Sequence, residues 1–524
     1  MPTPPPSAGP DPVTGAALKP DAGHGPGYDP THETGPLAAG EGRILVTHED
    51  PLARSASAVT GGPAGSHFRQ HPWWTPLRVV LALCTVVFGL AMVQKTPCVQ
   101  TGWHGSDEQR YGAMCYSDLP YLYVPRGLAE RWLPYSDNGG RYQDLEYPVL
   151  IGYVAFGQAV ITQVLVGQAD IDGRRAMAVD KVWGAAGVDR EMRGFFMVGA
   201  IILFGFALAA AYFMTGSHRG RPYDALPYVA APMVVLTGLI NWDFVAIFGV
   251  AGALWAWSRG RPLLAGVFIG LGTAAKLYPA FLLGALLVTA LRRRDLPRFW
   301  PALGGAAGTW LLVNLLPMVG GFEHWKVFWT FNSDRGPDWG SAWLVLQQTT
   351  GTTISSGTVN TVSEIAFVLL CVAILVLGLK APEPPRVAQI AFLIVAAFLL
   401  VNKVYSPQYV LWLLPLAVLA RPRWRDLLIW QAAEAFYFAA IWWQLGGFNE
   451  PAGGGHDRVY WFAVIIRLLA QLWFAALVVR DIWYPDDDFV RIEGPSTDPA
   501  YPLPVNGSVS GPGMAPWPAR ADLQ

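Results

Sequence analysis

The chain is 524 residues long, 52% hydrophobic and only 14% charged, with a mean hydropathy of +0.31. Soluble domains carry about 25% charged residues, so this composition excludes an ordinary soluble protein and indicates an integral membrane one. A net charge of −1 gives none of the basic surface that nucleic-acid binding needs. The 23 Trp and 19 Tyr suit anchoring at the two membrane interfaces.

Residues 1–75 are rich in Pro, Gly, Ala and Ser without periodicity and read as a disordered cytoplasmic tail. The first apolar run starts near Pro76 and lacks an A-x-A site, so no cleavable signal peptide is expected. Apolar segments follow near 76–95, 149–168, 194–215, 226–256, 262–291, 299–319, 361–379, 387–401, 407–420, 426–443 and 459–479. Two of them, 226–256 and 262–291, greatly exceed the roughly 20 residues that one span needs. Each has a polar break, Asn241-Trp242-Asp243 in the first and Lys276-Leu277-Tyr278-Pro279 in the second. Two short helices meeting at a polar tip explain both the length and the break. From about Pro485 the composition turns Pro- and Gly-rich again, so 485–524 reads as a second disordered cytoplasmic tail and 76–484 as the membrane domain.

Basic connectors mark the cytoplasmic side. They are Arg219 and Arg221; Arg259 and Arg261; Arg292, Arg293, Arg294 and Arg298; Lys380 and Arg386; and Arg421, Arg423 and Arg425. The less basic loops between them, which include both polar tips, 320–360, 402–406 and 444–458, then fall outside. With the first tail inside, helix 76–95 delivers residues 96–148 outside, and 194–215 has to end inside at Arg219. Segment 149–168 therefore cannot be an ordinary span. It is expected as a juxtamembrane or re-entrant helix, in an all-α bundle of about 12 transmembrane helices. The stretch 169–193, with five acidic and five basic residues, favours neither side.

The loop 96–148 is far more polar and aromatic than a connector requires. It holds Cys98 and Cys115, which either pair in an oxidising compartment or stay as two free thiols. Cys84 and Cys371 lie in apolar runs as small core residues. The loop also carries Tyr116-Ser117-Asp118-Leu119-Pro120-Tyr121, Arg126-Gly127-Leu128-Ala129, Pro134-Tyr135-Ser136-Asp137 and Glu146-Tyr147-Pro148. On the same side come the two tips, Asp334-Arg335-Gly336-Pro337 and Asn402-Lys403-Val404-Tyr405-Ser406-Pro407-Gln408-Tyr409. Acidic groups early and basic groups late suit a transfer reaction with an anionic leaving group. A carboxylate takes a proton from the attacking hydroxyl, and Lys or Arg holds a phosphate that gains charge as it departs.

Each signal also has a plainer reading. Asp118 and Asp243 could be helix caps, Lys276 and Lys403 could snorkel to the interface, and Arg335 could be an ordinary loop charge. Their convergence on one side favours chemistry. Walker-type glycine loops, H-E-x-x-H and G-x-S-x-G are absent from the sequence, as is zinc spacing of His and Cys. No metal or cofactor needs to be invoked, although the adjacent carboxylates Asp107 and Glu108 stay open as ligands.

Taken in order, these motifs resemble the GT-C class of membrane glycosyltransferases. More narrowly, they resemble the family 87 polyprenyl-phosphate-mannose-dependent α-mannosyltransferases and related actinobacterial proteins. The matching pieces are the Asp in the loop after the first helix, R-G-L-A, P-Y-S-D, E-Y-P, N-W-D, A-A-K-L-Y-P, D-R-G-P-x-W-G and N-K-V-Y-S-P-Q-Y, over about residues 76–480.

The resemblance implies a GT-C-like bundle in the plasma membrane with its active site on the extracytoplasmic face. It implies a polyprenyl-phosphate-linked sugar donor, with mannose foremost, a glycolipid or glycan acceptor, inversion at the anomeric carbon, and no cofactor. Asp118 takes the place of the catalytic base. Lys276, Arg335 and Lys403 become candidates for the donor phosphate. Tyr121, Arg126, Glu146, Tyr147, Asp243, Tyr405 and Gln408 become candidates for shaping the substrate pocket. A juxtamembrane helix after the catalytic loop is also common in the class. The alternative is a transporter or flippase of lipid-linked substrates, which would bury its ionisable groups near the bilayer midplane.

Overall fold

A computed structural model describes residues 73–166, 170–218, 221–451, 457–488 and 490–491. The tail expected over 1–75 lies almost wholly outside the described residues, as do Arg219 and most of 485–524. The described residues form helices and loops without strands. The longer helices are α1 (Pro76–Gln100), α2 (Val149–Val166), α3 (Val188–Ser217), α4 (Asp243–Ser258), α5 (Pro262–Ala275), α6 (Phe281–Arg293) and α7 (Leu296–Gly320). They continue with α8 (Ala342–Thr350), α9 (Ser356–Lys380), α10 (Val387–Val401), α11 (Val410–Ala420), α12 (Trp424–Leu445) and α13 (Arg458–Trp483).

Helix α1 shows why these segments belong in a bilayer. Val80, Cys84, Val87, Phe88 and Ala91 recur at helical spacing and are buried, yet the opposite face is also apolar, with Val86, Leu90 and Val93 more than half exposed. A helix that is apolar all round but packed on one side only has lipid as its other solvent. Helix α9 exposes Val362, Ile365, Val368, Leu369 and Val372 in the same way.

Among the described residues, six helices are long and apolar enough to cross a membrane: α1, α2, α3, α7, α9 and α13. Of the other expected spans, 426–443 is one unbroken helix of 22 residues, α12, and the rest are shorter pieces. Pro227 and Pro232 divide 226–237 into two short turns of helix. Helices α4 and α5 have 16 and 14 residues. At 1.5 Å per residue they reach roughly 20–25 Å, short of the ~30 Å hydrocarbon core. Their breaks fall at Asn241-Trp242 and at Lys276-Leu277, as the polar tips predict. Close packing compensates for the shortness: a side chain at Gly266 or Gly270 of α5 would strike the Ala302 or Ala306 carbonyl of α7.

Helix α2 meets α3 near the start of the latter, through Gln158 on Phe195 and Thr162 and Val166 against Gly194. Its own first residue instead lies in a cleft with Thr273 of α5 and Trp310 and Asn314 of α7. It thus bridges the early turns of α3 and the later halves of α5 and α7.

Beyond the boundary expected at 485, Asp488 is buried and takes the Arg386 guanidinium at 2.8 and 2.9 Å.

Candidate active site

The loop 101–148 folds back over the tip between the Pro232–Thr237 turn and α4. A disulfide joins Cys98, in the last turn of α1, to Cys115. Two residues on, Ser117 caps the short helix Asp118–Tyr121, its hydroxyl accepting from the Leu119 amide and donating to the Ile240 carbonyl at 3.3 Å. The Asp118 amide donates to the same carbonyl at 2.8 Å. Two bonds to one oxygen fix where the Asp118 side chain starts.

Asn241 fixes where it ends. Its Oδ1 accepts from the Trp242 amide at 2.6 Å and from Lys276 Nζ at 3.4 Å. With the carbonyl turned to these donors, the amide nitrogen has to face the other way. It donates to Asp118 Oδ2 at 2.7 Å and to the Tyr147 hydroxyl at 2.6 Å. Trp242 is pinned in turn by its indole N–H on Gln158 Oε1 at 2.8 Å.

Lys276, in extended backbone at the end of α5, reaches this centre loosely. Its ammonium is 3.8 Å from Asp243 Oδ1 and 4.7 Å from the centre of the Tyr147 ring. Asp243 Oδ1 also accepts from the Trp412 indole at 2.7 Å, while its Oδ2 is buried without a hydrogen-bond partner. A buried carboxylate oxygen in that state is costly unless something else comes to it.

Asp118 is held above the usual carboxylate range. Burial is the largest cause, opposed by hydrogen bonds from Asn241 and Tyr116 and by the Lys276 charge. A carboxylate so tuned is a better proton acceptor than a solvated one. Tyr116 also stacks on Tyr121 at 5.2 Å and lies 5.2 Å from Trp442, and its carbonyl accepts from the buried Lys95 ammonium at 2.8 Å. Asp118 is thus enclosed by aromatic rings on the α12 side and by Asn241 and Tyr147 on the other.

A second, cationic centre lies on two later loops. Arg335 pairs with Asp338 at 2.5 Å. Lys403 Nζ donates to the Asn360 side chain at 2.5 Å and to the Ser333 carbonyl at 3.2 Å. Burial, and then the neighbouring Arg335 charge, push the Lys403 ammonium below its ordinary range. Two cations held near each other are relieved by an anion. Tyr409 links the centres: it stacks on Trp412 at 3.8 Å and lies within electrostatic reach of Arg335, Asp243 and Asp118.

The residues singled out from sequence therefore divide. Asp118, Tyr147, Asp243 and Lys276 share one centre, whereas Arg335 and Lys403 form another. Lys276 stands with the carboxylates, not with the other two cations. Arg126 and Glu146 face each other in a two-pronged ion pair at 2.9 Å, which brackets the loop just before Tyr147. Tyr121 donates to the Trp103 carbonyl at 3.0 Å and touches the site through Tyr116. Tyr405 is fully buried, with its hydroxyl on Gln471 at 2.5 Å, and so belongs to the packing beneath the cation loops. Gln408 is buried with an unpartnered Oε1.

Asn241, Lys95, Tyr116, Tyr409 and Trp412 were not among the residues assigned a role from sequence. An ionisable residue inside an otherwise apolar helix was the available signal for Lys95, and the N-W-D break was the signal for Asn241. Among the described residues, no group of three or more His, Cys, Asp or Glu could hold a metal ion, and Asp107 pairs with Arg110 at 3.1 Å.

No curated protein matches the chain. Residues 192–402, which carry Asn241, Asp243, Lys276 and Arg335 but stop short of Lys403, match Glycosyltransferase family 87. That is the family the motifs resemble, and over this part of the chain the match, with the apolar helices, indicates a multi-pass membrane glycosyltransferase.

Proposed function

We propose that the chain transfers a hexose, mannose foremost, from a polyprenyl-phosphate donor to a glycolipid or glycan acceptor on the extracytoplasmic face of the plasma membrane. Asp118 accepts the proton of the acceptor hydroxyl as its oxygen bonds to the anomeric carbon. The bond from that carbon to the phosphate oxygen breaks, and polyprenyl monophosphate leaves with one more negative charge. Lys276, Arg335 and Lys403 meet that charge, in the manner of preorganised cations at a developing anion. Tyr147, Asp243 and Gln408 border the sugar, with Asp243 Oδ2 and Gln408 Oε1 offering unpartnered acceptors to its hydroxyls. Arg126 and Glu146 brace the pocket wall, Tyr121 backs Tyr116, and Tyr405 supports the loop that carries Lys403.

The observation that carries this reading is the Asn241 amide, which holds the Asp118 carboxylate on one end and faces the Lys276 ammonium on the other. A base and a cation separated by one side-chain amide suit in-line displacement. The Cys98–Cys115 disulfide supports an oxidising compartment for the loop.

The test is turnover of polyprenyl-phosphate-mannose by the purified full-length protein. A positioned general base contributes about 100- to 10,000-fold, and Asp118→Asn is expected to lose at least that much while keeping its yield in the membrane. Turnover within about tenfold of the parent would exclude Asp118 as the base.

A further inference from the structure

The two loops that carry Arg335 and Lys403 are joined directly to each other through their backbones. The Asp338 amide donates to the Lys403 carbonyl at 2.8 Å, and the Tyr405 amide donates to the Trp339 carbonyl at 3.0 Å. These two backbone bonds zip 338–339 to 403–405. Gly340 makes the zip possible: its φ is +79° and any Cβ there would fall on the Tyr405 carbonyl oxygen.

The zipped loops rest on α13. Arg467, fully buried, donates from Nη1 to the Tyr405 carbonyl at 2.6 Å and from Nη2 to the Ser406 carbonyl at 3.2 Å. Its guanidinium lies 3.4 Å from the Tyr405 ring centre and 4.2 Å from that of Tyr437. Its Nε is turned to Glu434 on α12 at 2.7 Å. The same helix gives a second anchor, the Tyr460 hydroxyl, which accepts from the Gly340 amide at 2.8 Å. A planar guanidinium with donors fixed in a fork can hold two successive carbonyls and a carboxylate at once, which a lysine ammonium cannot do in the same geometry.

We infer that Arg467, oriented by Glu434, is a positioning residue for the anion-binding loops: it sets the distance between Arg335 and Lys403 at which they receive the phosphate of a polyprenyl phosphate. It touches no substrate and acts through the backbone of 405–406. The inference rests on the reading of Arg335 and Lys403 as phosphate ligands, and it extends the donor site to helices that lie beyond the residues matched to the family.

Binding of a polyprenyl monophosphate to the purified full-length protein in detergent reads this site without any acceptor. Lys403→Ala and Arg335→Ala report on the phosphate reading, and Arg467→Lys and Gly340→Ala report on positioning from opposite sides of the Tyr405 carbonyl. Displacing a binding group by about 1 Å can cost up to a hundredfold, so Arg467→Lys is expected to weaken binding about tenfold in protein that remains folded. Adding Lys403→Ala to it should weaken binding less than the two single losses multiplied, because both act on one contact. Gly340→Ala gives the same result by a change that keeps Arg467, should the lysine variant fail to fold.

Parent-like binding by folded Arg467→Lys or Gly340→Ala, with weakened binding by Lys403→Ala, overturns the positioning role alone. Strictly multiplicative losses do the same, since they indicate independent damage. Parent-like binding by both Lys403→Ala and Arg335→Ala overturns the phosphate reading, and the positioning role with it.

Discussion

Two buried polar clusters in this protein are built to opposite rules. Glu434 and Arg467, both fully buried between α12 and α13, leave little unsatisfied: Nε takes a carboxylate oxygen at 2.7 Å, and Nη1 and Nη2 take two carbonyls. The Asp118–Asn241–Lys276–Asp243 group is looser. Its ammonium stands 3.4 and 3.8 Å from its partners, and one oxygen of Asp243 has none. Desolvated charges are stable only when geometry and hydrogen bonds are complete, so the first cluster is suited to holding the fold. The second has capacity left over for a ligand, and in this site that capacity faces the proposed base.

The comparison breaks if the two clusters respond alike to mutation. The largest effect on stability is expected from the complete pair: Glu434→Gln leaves a buried guanidinium without its counter-charge, a change that costs about 3–5 kcal/mol, read as a lowered thermal midpoint in detergent. A midpoint equal to the parent's would mean that the pair is not the support described. Next comes the ring ahead of the site. Cys98→Ser with Cys115→Ser removes a crosslink of a kind that contributes about 2–4 kcal/mol, and the same melting measurement should show a smaller loss than Glu434→Gln.

The smallest expected effect has the opposite sign. Asp118 is raised by burial, opposed by Asn241, Tyr116 and Lys276. Its favourable contribution is complete below the unfolded carboxylate range and is lost as pH rises through the folded value. At neutral pH its charge is a cost, so Asp118→Asn should melt above the parent, with the gap closing as the pH is lowered to where Asp118 is protonated. A variant that melts below the parent at neutral pH would contradict the account of a strained, reactive carboxylate.

Much of this arrangement was legible in the chain itself. The N-W-D and K-L-Y-P breaks showed as polar residues inside overlong apolar runs, and helices α4 and α5 meet their ends there because α4 opens at Asp243 and Lys276 leaves helical backbone. Asp118 stood out as a carboxylate just beyond a spanning helix. What spacing could not convey is which charges meet. Lys276 and Lys403 look equivalent as cations near helix ends, but one faces Asp243 and the other Asn360, because their loops fold over different helices. Tyr405 reads as a pocket residue from its motif and is drawn inward by Arg467, more than 60 residues further along the chain. Such pairings arise from packing between helices that sequence order does not bring together.

The zip between 338–339 and 403–405 bears on how the protein could be recombined. The residues that match the family end at 402, just before the zip's second segment, 403–405, and its anchor on α13. A chimaera that exchanged only that stretch would import Arg335 and Gly340 while leaving Lys403, Tyr460 and Arg467 behind. The smallest portable unit for the proposed donor site therefore runs through α13, and crossover points for grafting it belong after Trp483 and not after Asn402.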